Sequence, residues 1–121
     1  MSARILIVED EPHIVESLTF LLTREGFEVE AIGDGDEALA ALAADLPRVL
    51  VLDAMLPGTD GFAILRQLRA EPRSARLPIL MLTAKGQRRD REVAEALGVD
   101  RFLAKPFSNA EVVALVRELA G

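Results

Sequence analysis

Short apolar runs alternate with amphipathic segments along the whole chain. Residues 5–8, 49–52 and 79–82 are runs without a polar residue, which is typical of strands buried on both faces of a parallel sheet. Residues 27–32 alternate apolar and acidic side chains, as expected of a strand nearer the sheet edge. Residues 102–104 form a short fifth run. We therefore predict five strands, with the first, third and fourth in the centre.

The segments between these runs have helical spacing. Ile14, Leu18, Leu21 and Leu22 lie on one face of a first helix that Pro12 opens. Further helices are predicted from about residue 34, after residue 61, over residues 86–97 and from residue 108, where a capping-box pattern begins. The fourth helix is polar and arginine-rich with few apolar anchors, so it should be the most mobile. Strict alternation predicts a parallel α/β sheet with right-handed crossovers.

Polar side chains stand where the predicted strands end. Asp53 closes the third strand, Glu9 and Asp10 follow the first, Thr83 closes the fourth, and Lys105 follows the fifth. Because parallel strands bring their carboxyl ends to one edge, where α/β proteins bind ligands, these residues should converge. Crowded carboxylates repel unless a cation lies among them, and oxygen ligands open to solvent suit Mg²⁺.

Composition narrows the class of protein. The chain has 121 residues and a net charge of −6, which fits one globular domain and disfavours direct binding to nucleic acid or anionic membrane. It has no cysteine, and five phenylalanines are its only aromatic residues, so a base-stacking platform has little support. No apolar stretch approaches the roughly 20 residues of a membrane span. A cytoplasmic protein is expected.

A metal ion, an ammonium and a hydroxyl around one carboxylate form a receptacle for a phosphoryl group. Phosphoryl transfer needs mainly positioning and neutralisation of the charge on the equatorial oxygens. Mg²⁺ would bind one of these oxygens, Lys105 a second and Thr83 a third. Asp53 would be the nucleophile that forms an acyl phosphate.

Each residue also has a plainer interpretation. Asp53 could be a turn former, Glu9 and Asp10 helix caps, and Lys105 a solvated lysine. However, Lys105 is one of only two lysines beside twelve arginines, which favours a specific role. A flavodoxin is disfavoured because the acidic loop after the first strand would repel FMN. A haloacid-dehalogenase-type phosphatase carries a second Asp two residues after its nucleophile, where this chain has Met55.

Four segments carry a family resemblance: Val-Glu-Asp-Glu at 8–11, Leu-Asp-Ala-Met-Leu-Pro-Gly at 52–58, Met-Leu-Thr-Ala at 81–84 and Lys-Pro-Phe at 105–107. Together they resemble the receiver domain of bacterial two-component response regulators. The resemblance covers the whole chain and implies a single receiver domain over residues 1–121. It implies a flavodoxin-like (βα)5 sandwich with strand order 2-1-3-4-5.

The resemblance also implies roles in the site. Asp53 would accept a phosphoryl group from a phosphohistidine on a sensor histidine kinase or a histidine phosphotransfer protein. Asp10, Asp53 and the backbone carbonyl of Met55 would ligate Mg²⁺, with Glu9 acting through water. The bond from Lys105 to the following proline is expected to be cis.

Two residues match the switch positions of that family. Thr83 would move toward the phosphoryl group and Phe102 would follow it inward, altering the surface of the fourth helix, fifth strand and fifth helix. The domain would be a switch and not a conventional enzyme. Its intrinsic chemistry would be self-phosphorylation from a donor and slow hydrolysis of the acyl phosphate.

The residues say least about the output, that is, the partner or effector domain that the switch controls. Turn and switch segments look most like receivers attached to winged-helix DNA-binding domains, in which Arg91 and Glu111 match one charged pair of a dimer interface. Arg101 stands where that class usually has an acid, and Leu115 where it usually has an arginine. Because a second pair cannot form and the chain stops two residues after Leu119, a stand-alone receiver acting on a protein partner is favoured. A receiver cut from a DNA-binding regulator is the alternative, and a phosphorylation-dependent homodimer stays open.

Overall fold

A computed structural model describes residues 2–84 and 88–121. Five strands and five helices alternate along them, as the hydrophobic pattern predicts. The elements are β1 (Arg4–Val8), α1 (Pro12–Arg24), β2 (Glu28–Ile32), α2 (Gly35–Ala44), β3 (Val49–Asp53), α3 (Gly61–Ala70), β4 (Ile79–Thr83), α4 (Arg88–Ala96), β5 (Arg101–Ala104) and α5 (Asn109–Ala120). The start of the predicted fourth helix, residues 86 and 87, lies outside the described residues.

The strands form one parallel sheet in the order β2-β1-β3-β4-β5. The predicted strand order and the central positions of β1, β3 and β4 are therefore confirmed. β3 and β4 are buried along their whole length, whereas β2 and β5 are half-exposed edge strands. Asp53 pairs in register with Leu82, which places Thr83 one residue further along the neighbouring strand.

Alternate residues of the central strands point to opposite faces of the sheet and so build two separate cores. One core contains Leu50 and Leu52 of β3 and packs against α2, α3 and α4. The other contains Val49 and Val51 and packs against α1 and α5. Three layers result. Among the described helices, none is long and apolar enough to cross a bilayer.

Local sequence signals set where the helices begin. The side chains of Asp34 and Asp60 accept hydrogen bonds from the first turns of α2 and α3. The predicted capping box of Ser108 and Glu111 is present at α5. Gly61 lets α3 start against the end of β3, since a Cβ there would collide with the carbonyl oxygen of Asp53. The helix starts therefore crowd around the carboxyl edge of the sheet.

Candidate functional site

The carboxyl edge of the sheet collects the predicted polar residues. Asp53 is the last residue of β3 and only 4% exposed, and Glu9 directly after β1 is only 1% exposed. Thr83, the last residue of β4, is equally buried. Asp10 follows Glu9 and faces solvent. One carboxylate oxygen from each of Glu9, Asp10 and Asp53 lies within 4.8 Å of the others. The predicted acidic cluster therefore exists.

Lys105 reaches this cluster from the end of β5. Its Nζ donates a hydrogen bond to Asp53 Oδ2 at 3.2 Å and lies 2.7 Å from Glu9 Oε1. The shorter contact is the ion pair with Glu9. The bond between Lys105 and Pro106 is cis, as expected. One ammonium thus serves two buried carboxylates.

Backbone amides hold the two buried carboxylates in place. The N–H of Glu11 donates to Glu9 Oε2 at 3.1 Å, and the N–H of Met55 donates to Asp53 Oδ1 at 3.2 Å. In both cases the donor lies two residues after the acid, so each turn orients its own carboxylate. The Met55 side chain is 68% exposed.

The electrostatics reflect this crowding. Burial raises the pKa of the Glu9 carboxyl, the neighbouring Asp53 raises it further, and Lys105 and the Glu11 N–H oppose the rise. Burial is also the largest single influence on Lys105 and lowers its pKa. The Glu9 and Asp53 carboxylates together outweigh it, so the pKa of Lys105 is raised. The ammonium therefore stays charged.

The donor set fits a hard divalent cation. All three clustered acids offer oxygen, and one of them does so from a solvent-facing position. Mg²⁺ takes few carboxylates and keeps several waters, which an open edge with an exposed Asp10 allows. The residues present suit Mg²⁺ better than zinc, for which nitrogen and sulfur ligands are preferred.

The two predicted switch residues lie on neighbouring strands. Thr83 Oγ1 donates a hydrogen bond to Asp90 Oδ2 at 3.2 Å. Phe102 is half-buried on β5, and the guanidinium of Arg91 lies 6.0 Å from the centre of its ring. Sequence reasoning missed Asp90. The available signal was an acid in the first turn of the polar helix that follows Thr83.

The residues matched to a dimer interface have partners within the chain. Arg101 donates to both carboxylate oxygens of Glu118, at 3.1 and 2.8 Å. Glu111 accepts from the Ser108 N–H in the capping box. Arg91 lies 3.8 Å from Glu95 of the same helix in an exposed ion pair.

A five-stranded, doubly wound sheet with an acidic cluster and a lysine at its carboxyl edge is the arrangement of a receiver domain. Comparison with known families agrees: the family described as "Response regulator receiver domain" matches residues 5–117. The chain belongs to this family, whose members act as phosphorylation switches in two-component signal transduction. The predicted family and fold are confirmed.

Known relatives give the same result. The phosphate regulon transcriptional regulatory protein PhoB of Rhizobium meliloti is 44% identical over 119 residues, which are 98% of this chain and 52% of that protein. The DNA-binding response regulator MtrA of Mycolicibacterium smegmatis is 44% identical over 117 residues, 97% of this chain and 50% of that protein. The chain thus spans about half the length of these curated relatives.

Among solved structures, the receiver domain of the sensor histidine kinase PA1611 from Pseudomonas aeruginosa PAO1 superposes with a TM-score of 0.90. It is 31% identical, the match covers 100% of this chain and 99% of that one, and it holds a magnesium ion in its active site cleft.

Proposed function

We propose that this domain is the phosphoacceptor of a two-component pathway and that Asp53 receives the phosphoryl group. The observation that carries the proposal is the shared ammonium. Asp53 Oδ2 and Glu9 Oε1 lie 3.2 and 2.7 Å from the same Lys105 Nζ, and both carboxylates are buried. A structural ion pair needs one carboxylate. A second one beside it leaves negative charge for a cation to neutralise.

The chemistry is a transfer between two protein side chains. A carboxylate oxygen of Asp53 forms a bond to phosphorus while the P–N bond of a donor phosphohistidine breaks. The imidazole nitrogen keeps the electron pair of that bond and takes up a proton. Lys105 remains beside the oxygen it contacts at 3.2 Å and neutralises charge on the transferred group. Thr83, one residue beyond the register partner of Asp53, supplies a hydroxyl donor.

Mg²⁺ is the cofactor we assign to the acidic cluster. Asp10 and Asp53 would ligate it together with the backbone carbonyl of Met55, and Glu9 would act through water. When bound, the cation neutralises charge on the phosphoryl oxygens. The magnesium ion in the active site cleft of the PA1611 receiver domain supports this assignment.

The proposed donor is a sensor histidine kinase or a histidine phosphotransfer protein, and residues 1–121 are proposed to form one receiver domain. Reactions of its own would be limited to self-phosphorylation and slow loss of the phosphoryl group. The surface of α4, β5 and α5 would carry the signal, with Thr83 and Phe102 as the switch residues. A cytoplasmic location fits such a partner set.

For the output, we favour contact with a separate downstream protein. Arg101 is engaged by Glu118 of its own chain, at 2.8 and 3.1 Å. Leu115 offers no charge to a symmetry mate, so only Arg91 and Glu111 remain for a paired interface. A surface with one such pair is better suited to a different protein than to a second copy of itself.

A second candidate is the receiver part of a winged-helix transcriptional regulator. It is favoured by the relatives, since the chain matches half of the DNA-binding response regulator MtrA. Size-exclusion chromatography with light scattering separates the two. A monomer after addition of beryllofluoride and Mg²⁺ supports the first candidate, and a dimer supports the second.

Intact-mass spectrometry after incubation with acetyl phosphate and Mg²⁺ tests the phosphoacceptor. The native protein should gain one phosphoryl group and Asp53→Ala none. Asp45→Ala, which changes an exposed aspartate far from the site, is the matched control and should behave as native. Incorporation by Asp53→Ala would remove Asp53 from its role.

A further inference from the structure

The hydroxyl of Thr83 already donates a hydrogen bond in this structure. Thr83 is buried at the end of β4, and its Oγ1 donates to Asp90 Oδ2 at 3.2 Å. A hydroxyl has one proton to donate. A phosphoryl group on Asp53 offers only acceptor oxygens, so a hydrogen bond to it would need the same proton. The Asp90 carboxylate and the phosphoryl group therefore compete for one donor.

Asp90 lies in the first turn of α4, which is weakly attached to the rest of the molecule. Ala94 is the one buried residue of this helix. The ion pairs Arg88–Glu92 and Arg91–Glu95 join residues of α4 to each other. Within the two described stretches of chain, the bond from Thr83 to Asp90 is the only side-chain hydrogen bond between this helix and the sheet. Among the described residues, this hydrogen bond and the packing of Arg91 on Phe102 connect the N-terminal half of α4 to the sheet.

The other end of α4 has a firmer attachment. Arg69 of α3 donates to the carbonyl of Gly98 at 2.9 Å and to Asp100 Oδ2 at 2.8 Å, just after the helix. Asp100 Oδ2 also accepts from the buried N–H of Ile79 at 2.7 Å. These bonds fix the turn between α4 and β5 at the edge of the sheet remote from Asp53. A displacement of α4 would pivot there.

We propose that Asp90 is a positioning residue that latches α4 by occupying the Thr83 hydroxyl, and that a phosphoryl group on Asp53 releases the latch. This rests on the proposed function, since it requires phosphate at Asp53. If the phosphoryl group accepts the hydrogen bond from the Thr83 hydroxyl, Asp90 loses its donor and the N-terminal half of α4 is released. The Arg69 contacts would keep the C-terminal end in place. The charge change at the site would in this way reach the output surface.

The latch makes a quantitative prediction about affinity. A ligand that needs the Thr83 hydroxyl must first break its bond to Asp90, and the cost of breaking it weakens binding. Beryllofluoride, a non-covalent mimic of the acyl phosphate, is a suitable probe. Asp90→Ala should tighten its Mg²⁺-dependent binding about tenfold, the size expected for one hydrogen bond to a charged acceptor.

A double-mutant cycle distinguishes this latch from a general effect of charge. Beryllofluoride affinity is measured by calorimetry in the native protein, Asp90→Ala, Thr83→Val and the double variant. Asp90→Ala should tighten binding only where Thr83 is present. Asp90→Asn, which keeps an acceptor oxygen but loses the charge, should tighten binding less than Asp90→Ala does. Glu92→Ala, on the exposed face of α4, is the control and should change nothing.

Three results would overturn the latch: equal tightening in the Thr83→Val background, no tightening at all, or tightening by Asp90→Asn as large as by Asp90→Ala. Amide hydrogen exchange adds a structural readout, since beryllofluoride should increase exchange in the first turns of α4 and leave the turn at Gly98 protected. Failure of the proposed function looks different. Beryllofluoride would then bind Asp53→Ala as well as the native protein.

Discussion

Both edges of the sheet carry ion pairs, but the ratio of carboxylates to donors differs between them. At the amino edge, Asp100 Oδ2 accepts from Arg69 at 2.8 Å and from the Ile79 N–H at 2.7 Å. At the carboxyl edge, the two buried carboxylates of Glu9 and Asp53 share the single ammonium of Lys105. A polar network in which every charged group has its hydrogen-bond partners stabilises the fold. A network with excess negative charge is suited to bind a cation.

The largest expected effect comes from removing the shared cation. Lys105→Met leaves two buried carboxylates without a counter-charge, and breaking a buried ion pair in this way costs about 3 kcal/mol. We expect that loss in the free energy of unfolding measured with urea in EDTA, and a partial recovery in Mg²⁺. Arg88→Met, which breaks an exposed ion pair, should cost at most about 1 kcal/mol and show no recovery. A Lys105 variant as stable as the native protein in EDTA would contradict the surplus of charge.

The amino edge should lose less stability and ignore the metal. Asp100→Ala leaves the Ile79 N–H and part of the Arg69 guanidinium without acceptors, at a cost of about 2 kcal/mol. The loss should be the same in EDTA and in Mg²⁺. Asp45→Ala removes an exposed ion pair with Arg4 and should cost at most about 1 kcal/mol. A metal-dependent loss at Asp100 would erase the distinction between the edges.

The sequence predicted the fold well because its signals were local and repeated. Residues 49–52 and 79–82 had to be central strands because nothing polar interrupts them. The end of one strand also fixes a position on the shared edge, so convergence of Asp53 with Thr83 and Lys105 followed from topology. The capping box at Ser108 was equally readable.

What the sequence did not reveal depends on side-chain reach. The closer partner of Lys105 is Glu9, at 2.7 Å, although the pattern only placed both at the same edge. Asp90 looked like one charge among many on a polar helix. Its bond to Thr83 depends on how α4 docks, which no periodicity encodes. Likewise, the sequence shows an arginine at position 101 where the winged-helix class usually has an acid, but only the structure shows that Arg101 pairs with Glu118.

Replacing Asp10, the exposed acid of the carboxyl edge, should stabilise the protein, whereas the substitutions at Lys105 and Asp100 should destabilise it. Asp10→Asn removes one of three clustered negative charges, so in EDTA the variant should be about 1 kcal/mol more stable than the native protein, as for like charges a few ångströms apart in water. Mg²⁺ should raise the unfolding free energy of the native protein but hardly that of the variant, because this increase depends on the affinity for Mg²⁺. Glu16→Gln, exposed on α1, is the control and should keep the Mg²⁺ response. Destabilisation of Asp10→Asn in EDTA would argue against repulsion in the cluster.

The smallest effect should come from an ion pair that has good geometry but no burial. Glu118 accepts from Arg101 at 2.8 and 3.1 Å, yet both side chains are about half exposed, at 52% and 47%. The hydrogen bond to Arg101 and its charge lower the pKa of Glu118. The pair therefore stabilises the fold above the carboxyl's unfolded pKa, and this contribution is lost as pH falls through the lower folded pKa. Urea denaturation of native protein and Glu118→Gln should show a small difference at neutral pH that vanishes in acid. A difference as large as that of Asp100→Ala would contradict this comparison, in which Asp100 contributes more because the N–H of the buried Ile79 also depends on it.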